Sequence, residues 1–398
     1  MARSGSIDLY NLSIEDTYIT EEMASYIDKE DYKYYYVDPK VKAPEMMQYY
    51  TPPESIIRIQ HSKKIVERLI FPEEGPYSEK EEEKYEEFFD YLEEIDETLP
   101  ESMTKRRTMR FLVGNHFKIK NTYKNILKTL EWRNGIRPLI VSDDMKLLLD
   151  HGYMYLHGRD RHFRPICCSN TKMLTELDFD LDECVKVGWF LCFYIIDQLL
   201  VREKVENWIF ISDLGGLSLR KIPTKHLKKF MMEAQEYQKC RIRKFYFFNT
   251  TFGLRAIYAL VSPFLDKVTK DKTQLKKEAY NDELLEFAHP SQIEEKYGGE
   301  AENLTEWWPP RCPSEEYDVD PAHLDIPKKT EKRSKKSKKN AEKQEKSAKG
   351  SSPHKPVEAN DVVFETVEAP QEQPMEEERV KRPAPRATKD KNCACTIF

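Results

Sequence analysis

No stretch of the 398-residue chain is both long and apolar enough to read as a membrane span. The most apolar run, VKVGWFLCFYIIDQLLV at 185–201, carries Lys186 and Asp197. It falls short of the roughly 20 mostly apolar residues that cross a bilayer as a helix. A buried core helix is expected there. The opening residues, MARSGSIDLY, contain neither an apolar signal core nor a glycine after Met1, so neither secretion nor myristoylation is expected. No CxxC occurs, and Cys167, Cys168, Cys184, Cys192 and Cys240 fall at irregular spacing. That spacing argues against a disulfide framework or zinc finger and for a reducing, cytosolic setting. Signatures of catalysis are missing too. There is no Walker lysine, no G-x-S-x-G and no phosphatase-like cysteine loop, and DLGGLS at 213–218 lacks the spacing of a dinucleotide fingerprint. No internal repeat is visible, and no enzyme activity, metal or cofactor is expected.

What is present is charge, at 34% of residues, with a mean hydropathy of -0.74. Such values predict that part of the chain stays solvated and unfolded. The net charge of -6 hides a basic concentration near the C-terminus. Residues 1–55 are Tyr-rich and acidic and read as an extension with short helices at most, closed by TPPES. A helical region follows over 80–140, from EKEEEKYEEFFDYLEEIDE through KRRTMRFLVGNHF to IKNTYKNILKTLEWRNGI. In the last of these Tyr123, Ile126, Leu127, Leu130 and Trp132 recur at helical spacing, and Gly135 ends the run.

The pattern then changes. RPICCSN (164–170), NWIFISDL (207–214) and RKFYFFN (243–249) are short apolar runs bounded by turn residues, hence buried strands. Helical patterns lie between and after them at 181–203, 223–238 and 253–268, with a short strand near 272–276 and a helix near 281–287. Strands alternating with helices predict an α/β fold around a mostly parallel sheet. From 306 the chain becomes proline-punctuated and blocked in charge, and a disordered tail is expected over 306–398. His157, Asp160 and His162 are close enough in sequence for an acid–base or metal site, but a structural turn is the better reading of LHGRDRHFRP.

Several motifs in the middle occur in an order that resembles the CRAL-TRIO lipid-binding family, in its branch of fungal-type phosphatidylinositol transfer proteins. RFLVGNHF (110–117) is similar to RFLRARKF, GRDRHFRPI (158–166) to G-x-D-x-x-G-R-P-V, ISDLGGLS (211–218) to I-x-D-x-x-G-x-S, and IEEKYGG (293–299) to L-P-x-x-Y-G-G. KFYFFNTTFGLRAIYALVSPFLDKVTKDK (244–272) resembles the family signature, and WRNG (132–135) the end of its helical region. The resemblance covers about 80–305 and implies a CRAL-TRIO domain over 141–305 whose sheet and helices enclose an apolar lipid pocket. It implies a gate helix carrying Leu254, Ile257, Tyr258, Val261 and Leu265, kinked at Pro263, and headgroup contacts from Arg241, Thr269 and Lys272. Arg241 and Lys272 are expected to face solvent at strand ends. Cys240 stands where a Glu contacts inositol, and Val113 replaces the second Arg of RFLRAR, so inositol specificity is not implied with the rest, whereas an anionic or phosphorylated headgroup still is. Trp208 and Phe210 take the place of a hydroxyl pair, which argues against a choline lipid in the same pose.

The chain closes on Cys395-Thr396-Ile397-Phe398, a C-a-a-X pattern whose Phe favours geranylgeranylation of Cys395; Cys393 is a candidate palmitoyl site. One prenyl chain holds a membrane weakly, and the upstream basic residues Lys381, Arg382, Arg386, Lys389 and Lys391 supply a second attraction to anionic lipid. The expected protein is a lipid-binding or lipid-transfer protein of phosphatidylinositol-transfer type, anchored on a cytosolic membrane face by C-terminal prenylation. Its expected partners are one phospholipid or other hydrophobic ligand and an anionic membrane surface, with the N-terminal extension as a docking arm and no nucleic acid. The alternative is a prenylated adaptor that no longer exchanges lipid.

Overall fold

The computed structural model describes residue 27 and residues 29–327, apart from positions 64, 137, 138, 223, 280 and 281. Cys393, Cys395 and the lysine-rich block beginning at 328 lie outside the described residues.

Alternation along the central strands explains the architecture. In β5 (Trp208–Asp213) and β6 (Ile242–Phe248), Ile209, Ile211, Tyr246 and Phe248 point to one face and pack with Leu284, Ala288 and Ile293. Their neighbours Trp208, Phe210, Ser212, Phe245 and Phe247 point to the other face. The sheet has the order β3-β4-β5-β6-β7, adding β3 (Met154–Arg159), β4 (Pro165–Asn170) and β7 (Thr273–Leu275). The β3–β4 pair is antiparallel and the others are parallel, so the mostly parallel α/β sheet expected from the sequence is what forms.

Crossover helices follow from the parallel pairs. α5 (Leu181–Tyr194) is capped by Asp180, whose side chain accepts from the Asp182 amide. It ends earlier than the 203 expected, because a π-turn over Ile195–Leu199 closes it and Leu200 is extended. α6 (Thr224–Tyr237) connects β5 to β6. The segment expected as one helix over 253–268 is divided: α7 (Phe252–Val261), a 3₁₀ turn over Ser262–Phe264, then α8 (Lys267–Lys272). Pro263 therefore ends the helix instead of kinking it, since it has no amide to continue the ladder. Leu265 sits in the link and not on the helix.

The helical lead-in comprises α1 (Glu79–Glu94), α2 (Lys105–Gly114) and α3 (Ile119–Ile136), which share a core of Phe88, Leu92, Met109, Leu112, Ile126 and Leu130. Before it stands a hairpin that the sequence pattern did not single out, β1 (Arg58–Ser62) with β2 (Ile65–Arg68).

Two expectations about the ends of the domain are corrected. Residues 306–327 do not belong to a disordered tail: Trp308 and Tyr317 are buried, and Thr51 bonds the backbone near the Leu324 bridge to Tyr50. Nor are residues 29–55 a free arm, because Tyr34, Tyr35, Met47 and Tyr50 are also buried. The two segments pack together and onto the domain, with the Trp308 ring 6.3 Å from Tyr34 and 5.4 Å from Tyr194. Aromatic anchors outweigh the acidic, proline-rich composition around them.

Candidate functional site

The face of the sheet turned away from Leu284 and Ile293 is not fully packed. α5 and α6 stand off it and leave a cavity of about 290 Å³. Trp208 and Phe210 of β5, Cys167 of β4, and Phe245 and Phe247 of β6 form its floor. Cys184, Gly188, Leu191 and Cys192 of α5, with Leu227, Phe230 and Met231 of α6, form its roof. A side chain at Gly188 would bring Cβ within 2.9 Å of the Phe230 ring, so the absence of one lets α6 lie close there. The cavity thiols are inert: burial raises Cys167 far above its ordinary range and pushes Cys192 up to about 12.

One end of the cavity is charged. Lys239, Arg241, Thr269 and Lys272 border it, together with Asp266 and with Ile65, Val66 and Glu67 of the hairpin. Lys272 is buried, contrary to the solvent-facing position expected, because α8 turns it inward beneath the hairpin. Its ammonium donates to Glu67 Oε1 at 2.5 Å and to the Ile242 carbonyl at 2.6 Å. His61 Nε2 lies 3.0 Å from the other Glu67 oxygen. Burial alone would raise the Glu67 carboxyl, but Lys272 and His61 outweigh it and hold the group below its ordinary value. Thr269 Oγ1 donates to Asp266 Oδ2 at 3.1 Å, and Arg241 Nη1 to the Glu206 carbonyl at 3.1 Å. Lys239 packs its stem against Gly114, and burial lowers its pKa.

The structure thus gathers Arg241, Thr269, Lys272, Trp208, Phe210 and Leu265 around one space. Leu254, Ile257, Tyr258 and Val261 of α7 are not among the residues that border it. Leu254 is buried, while Phe252 is 90% and Leu260 74% exposed. Cys240 and Val113 also border the cavity, and the Cys240 thiol is raised to about 12, mainly by burial. Arg110, from the RFLVGNHF motif, serves the framework: it binds buried Glu206, which Arg106 also reaches at 3.2 Å.

The HGRDRHF loop is a structural turn. Asp160 accepts from the His162 and Arg164 amides at 2.9 and 2.8 Å and from Arg164 Nε at 2.5 Å. His162 is bonded to the Tyr50 hydroxyl and held down to about 4, chiefly by burial. Among the described residues no group of His, Cys, Asp or Glu side chains is arranged to hold a metal. Among the same residues no helix is long and apolar enough to cross a membrane.

The residues that sequence reasoning missed are His61, Glu67 and Lys239. RIQHS and IVER are short alternating runs separated by two lysines, a usable hairpin signal, but nothing local ties Glu67 to a lysine 205 positions away.

These features define an α/β protein that hollows one face of its sheet into an apolar cavity with a charged end. The family model for the CRAL/TRIO domain matches residues 149–299. The chain is 33% identical over 240 residues to the SEC14 cytosolic factor of Eremothecium gossypii, covering 53% of this chain and 76% of that protein. It is 25% identical over 219 residues to the SEC14 cytosolic factor of Candida glabrata, with 49% and 70% covered. It is 23% identical over 216 residues to the phosphatidylinositol/phosphatidylcholine transfer protein SFH9 of Arabidopsis thaliana, with 48% and 36% covered. The chain belongs to the CRAL/TRIO domain family.

Proposed function

We propose that the protein holds one lipid in this cavity and exchanges it with membranes, while its C-terminus keeps it on a cytosolic membrane face. The observation that carries the reading is the cavity between β4–β6 and the α5–α6 pair, lined mostly by apolar side chains and with its lysines and arginine gathered at one end. An acyl chain gains roughly 0.8 kcal/mol for each methylene it buries there, and the charged end gives the polar group somewhere to go. The Arabidopsis relative's name as a phosphatidylinositol/phosphatidylcholine transfer protein supports the same class of function. The polar end is proposed to rest near Arg241, Thr269 and Lys272. The pairing of Lys272 with Glu67 argues against selectivity for phosphatidylinositol.

At about 290 Å³ the cavity is at the small end of the roughly 300–1,000 Å³ typical of ligand sites. A two-chain lipid therefore requires movement, and α7, which does not line the cavity but lies against the loop after β5 through Gly253 and Leu219, is the proposed lid: it presents Phe252 and Leu260 outward, where a bilayer surface can take them up. Native mass spectrometry of the full chain purified from eukaryotic cells tests the reading. One lipid per chain is expected; a chain that carries none, and takes none from vesicles, overturns it and favours the adaptor. Prenylation at Cys395 is proposed from the C-a-a-X pattern alone. Cys395→Ser is expected to move the protein from the membrane to the soluble fraction, and unchanged fractionation would place the anchor elsewhere.

A further inference from the structure

We infer that Glu67 is the headgroup-selecting residue of the cavity, and that it favours lipids whose polar end is uncharged over lipids bearing a phosphate. The inference rests on the lipid-carrier reading and names the chemical class that the site takes.

The argument is one of occupancy and charge. A charged polar end must turn toward this end of the cavity, since the lysines and the arginine that border it stand here, and the other walls offer apolar side chains, thiols and neutral groups such as Tyr153, Ser169, Thr171 and Ser212. The cation most deeply placed there is Lys272, whose side chain is 6% exposed. Two of its three N–H donors are taken by the chain itself, one by the Glu67 carboxylate at 2.5 Å and one by the Ile242 carbonyl at 2.6 Å. The Thr269 hydroxyl is committed in the same way to Asp266. An arriving phosphate therefore finds its lysine neutralised and a second anion beside it.

Glu67 cannot easily step aside. Its side chain is 7% exposed, and His61, itself 6% exposed, holds its other oxygen. The next residue, Arg68, fixes the strand by a two-point bond to Glu81 on α1, Nε to Oε1 at 2.8 Å and Nη2 to Oε2 at 3.0 Å. Arg58, on the partner strand, reaches the same carboxylate at 3.0 Å. The hairpin is thus bolted to the helical lead-in, and Glu67 is a fixed part of the cavity wall.

Lys239 and Arg241 keep positive charge at this end, so the balance is close: Lys239, Arg241 and Lys272 stand against Glu67 and Asp266. In a balance this close a single carboxylate decides how much positive potential is left for a ligand. An uncharged polar end, such as a hydroxyl, avoids the repulsion and still finds hydrogen-bonding partners.

The test compares two lipids with the same acyl chains, diacylglycerol and phosphatidylinositol, offered to the full-length protein in phosphatidylcholine vesicles. Uptake is read by mass spectrometry of the re-isolated protein. The wild type is expected to load diacylglycerol in preference. In Glu67→Gln, which keeps the shape and removes the charge, the ratio of phosphatidylinositol to diacylglycerol should rise about tenfold, the order expected for one partly screened charge beside the headgroup. Because an unpaired buried lysine can unsettle the fold, the double variant Glu67→Gln/Lys272→Met is run beside it. That variant lacks both charges, and its ratio should fall back to the wild-type value or below. A wild type that prefers phosphatidylinositol, or a ratio unmoved by Glu67→Gln in a protein that still melts cooperatively, overturns the role of Glu67. If neither lipid loads into any of the three proteins, the carrier reading fails together with it.

Discussion

Toward the C-terminal ends of β5 and β6 the cavity is bounded by uncharged side chains, Leu214, Leu217 and Phe247 with the hydroxyls of Ser169, Thr171 and Ser212, whereas toward their N-terminal ends it meets Lys239, Arg241, Lys272 and Glu67. The first end is built by alternation and packing. Each strand turns every second side chain inward, and Phe210 meets Phe245 in an edge-on contact with ring centres 6.0 Å apart. The second end is built by charges brought from distant parts of the chain, with a hairpin residue on a helix-borne lysine and both tied to the lead-in. An apolar wall tolerates a change of shape and is ruined by a charge. A charged wall tolerates neither the loss of one partner nor a shift in protonation, because the remaining ion stays buried.

The largest effect is expected at the apolar end. Phe210→Asp puts a carboxylate on the cavity floor, with no cation among the side chains that face it from α5 and α6. Burying an unpaired charge costs several kcal/mol, so lipid loading should fall below about a tenth of wild type. Phe210 is only partly buried and faces a space, so the protein should still melt cooperatively. Mass spectrometry and a thermal melt, read together, check this. Normal loading would mean that the lipid does not lie against β5.

The same division explains what could be read in the sequence. NWIFISDL and RKFYFFN announce strands because burial on both faces leaves an unbroken apolar run, and the crossover helices follow from their spacing. The positions Trp208, Phe210, Arg241, Thr269 and Lys272 were legible through resemblance, and they do converge on one space. Their environments were not legible. That Lys272 is buried depends on Glu67, and an ion pair across 205 residues leaves no local pattern in either segment. Residues 306–327 read as tail for the opposite reason: proline and acid dominate the composition, while order there comes from a few aromatic side chains such as Trp308 and Tyr317. Pro263 was legible as a disruption of the helix, but only the backbone distinguishes a kink from an end.

A smaller effect should separate the two ends by pH. Glu81 anchors the hairpin through Arg68. Burial works against its ionised form, but Arg68 and the Ser78 amide prevail and bring the carboxyl from 4.5 to about 2. Glu67 is shifted in the same direction by Lys272 and His61. A carboxyl with a lowered folded pKa contributes stability that is fully present above its unfolded value and disappears as pH falls through the folded one. For Glu81 this window runs from about 4.5 down to about 2, and the shift corresponds to about 3 kcal/mol. Hydrogen exchange at pH 3 should therefore release the amides of β1 and β2 before those of β5, and Glu81→Gln should show little further loss between neutral and acid pH. Equal release of hairpin and sheet would remove the charged anchor from the account.

The smallest change in stability is expected at Phe252, on the outer surface of α7. At 90% exposure it makes almost no contact to lose, so Phe252→Ser should alter folding by no more than about 0.5 kcal/mol. Its effect should appear in exchange. If α7 opens toward a bilayer, an exposed phenyl ring helps the helix enter the interface, and removing it slows delivery without altering how much lipid the protein holds at equilibrium. Gly253 bears on the same motion: a Cβ there would come within 2.5 Å of Leu219, so the start of α7 lies tightly on the loop after β5 and any opening must pivot near that contact. Transfer of a fluorescent lipid between vesicles, measured with equilibrium loading on the same samples, distinguishes the two quantities. A severalfold slower rate with unchanged loading is the expected result. An unchanged rate would detach α7 from the exchange step and leave the charged end, with its hairpin, as the place where lipid enters.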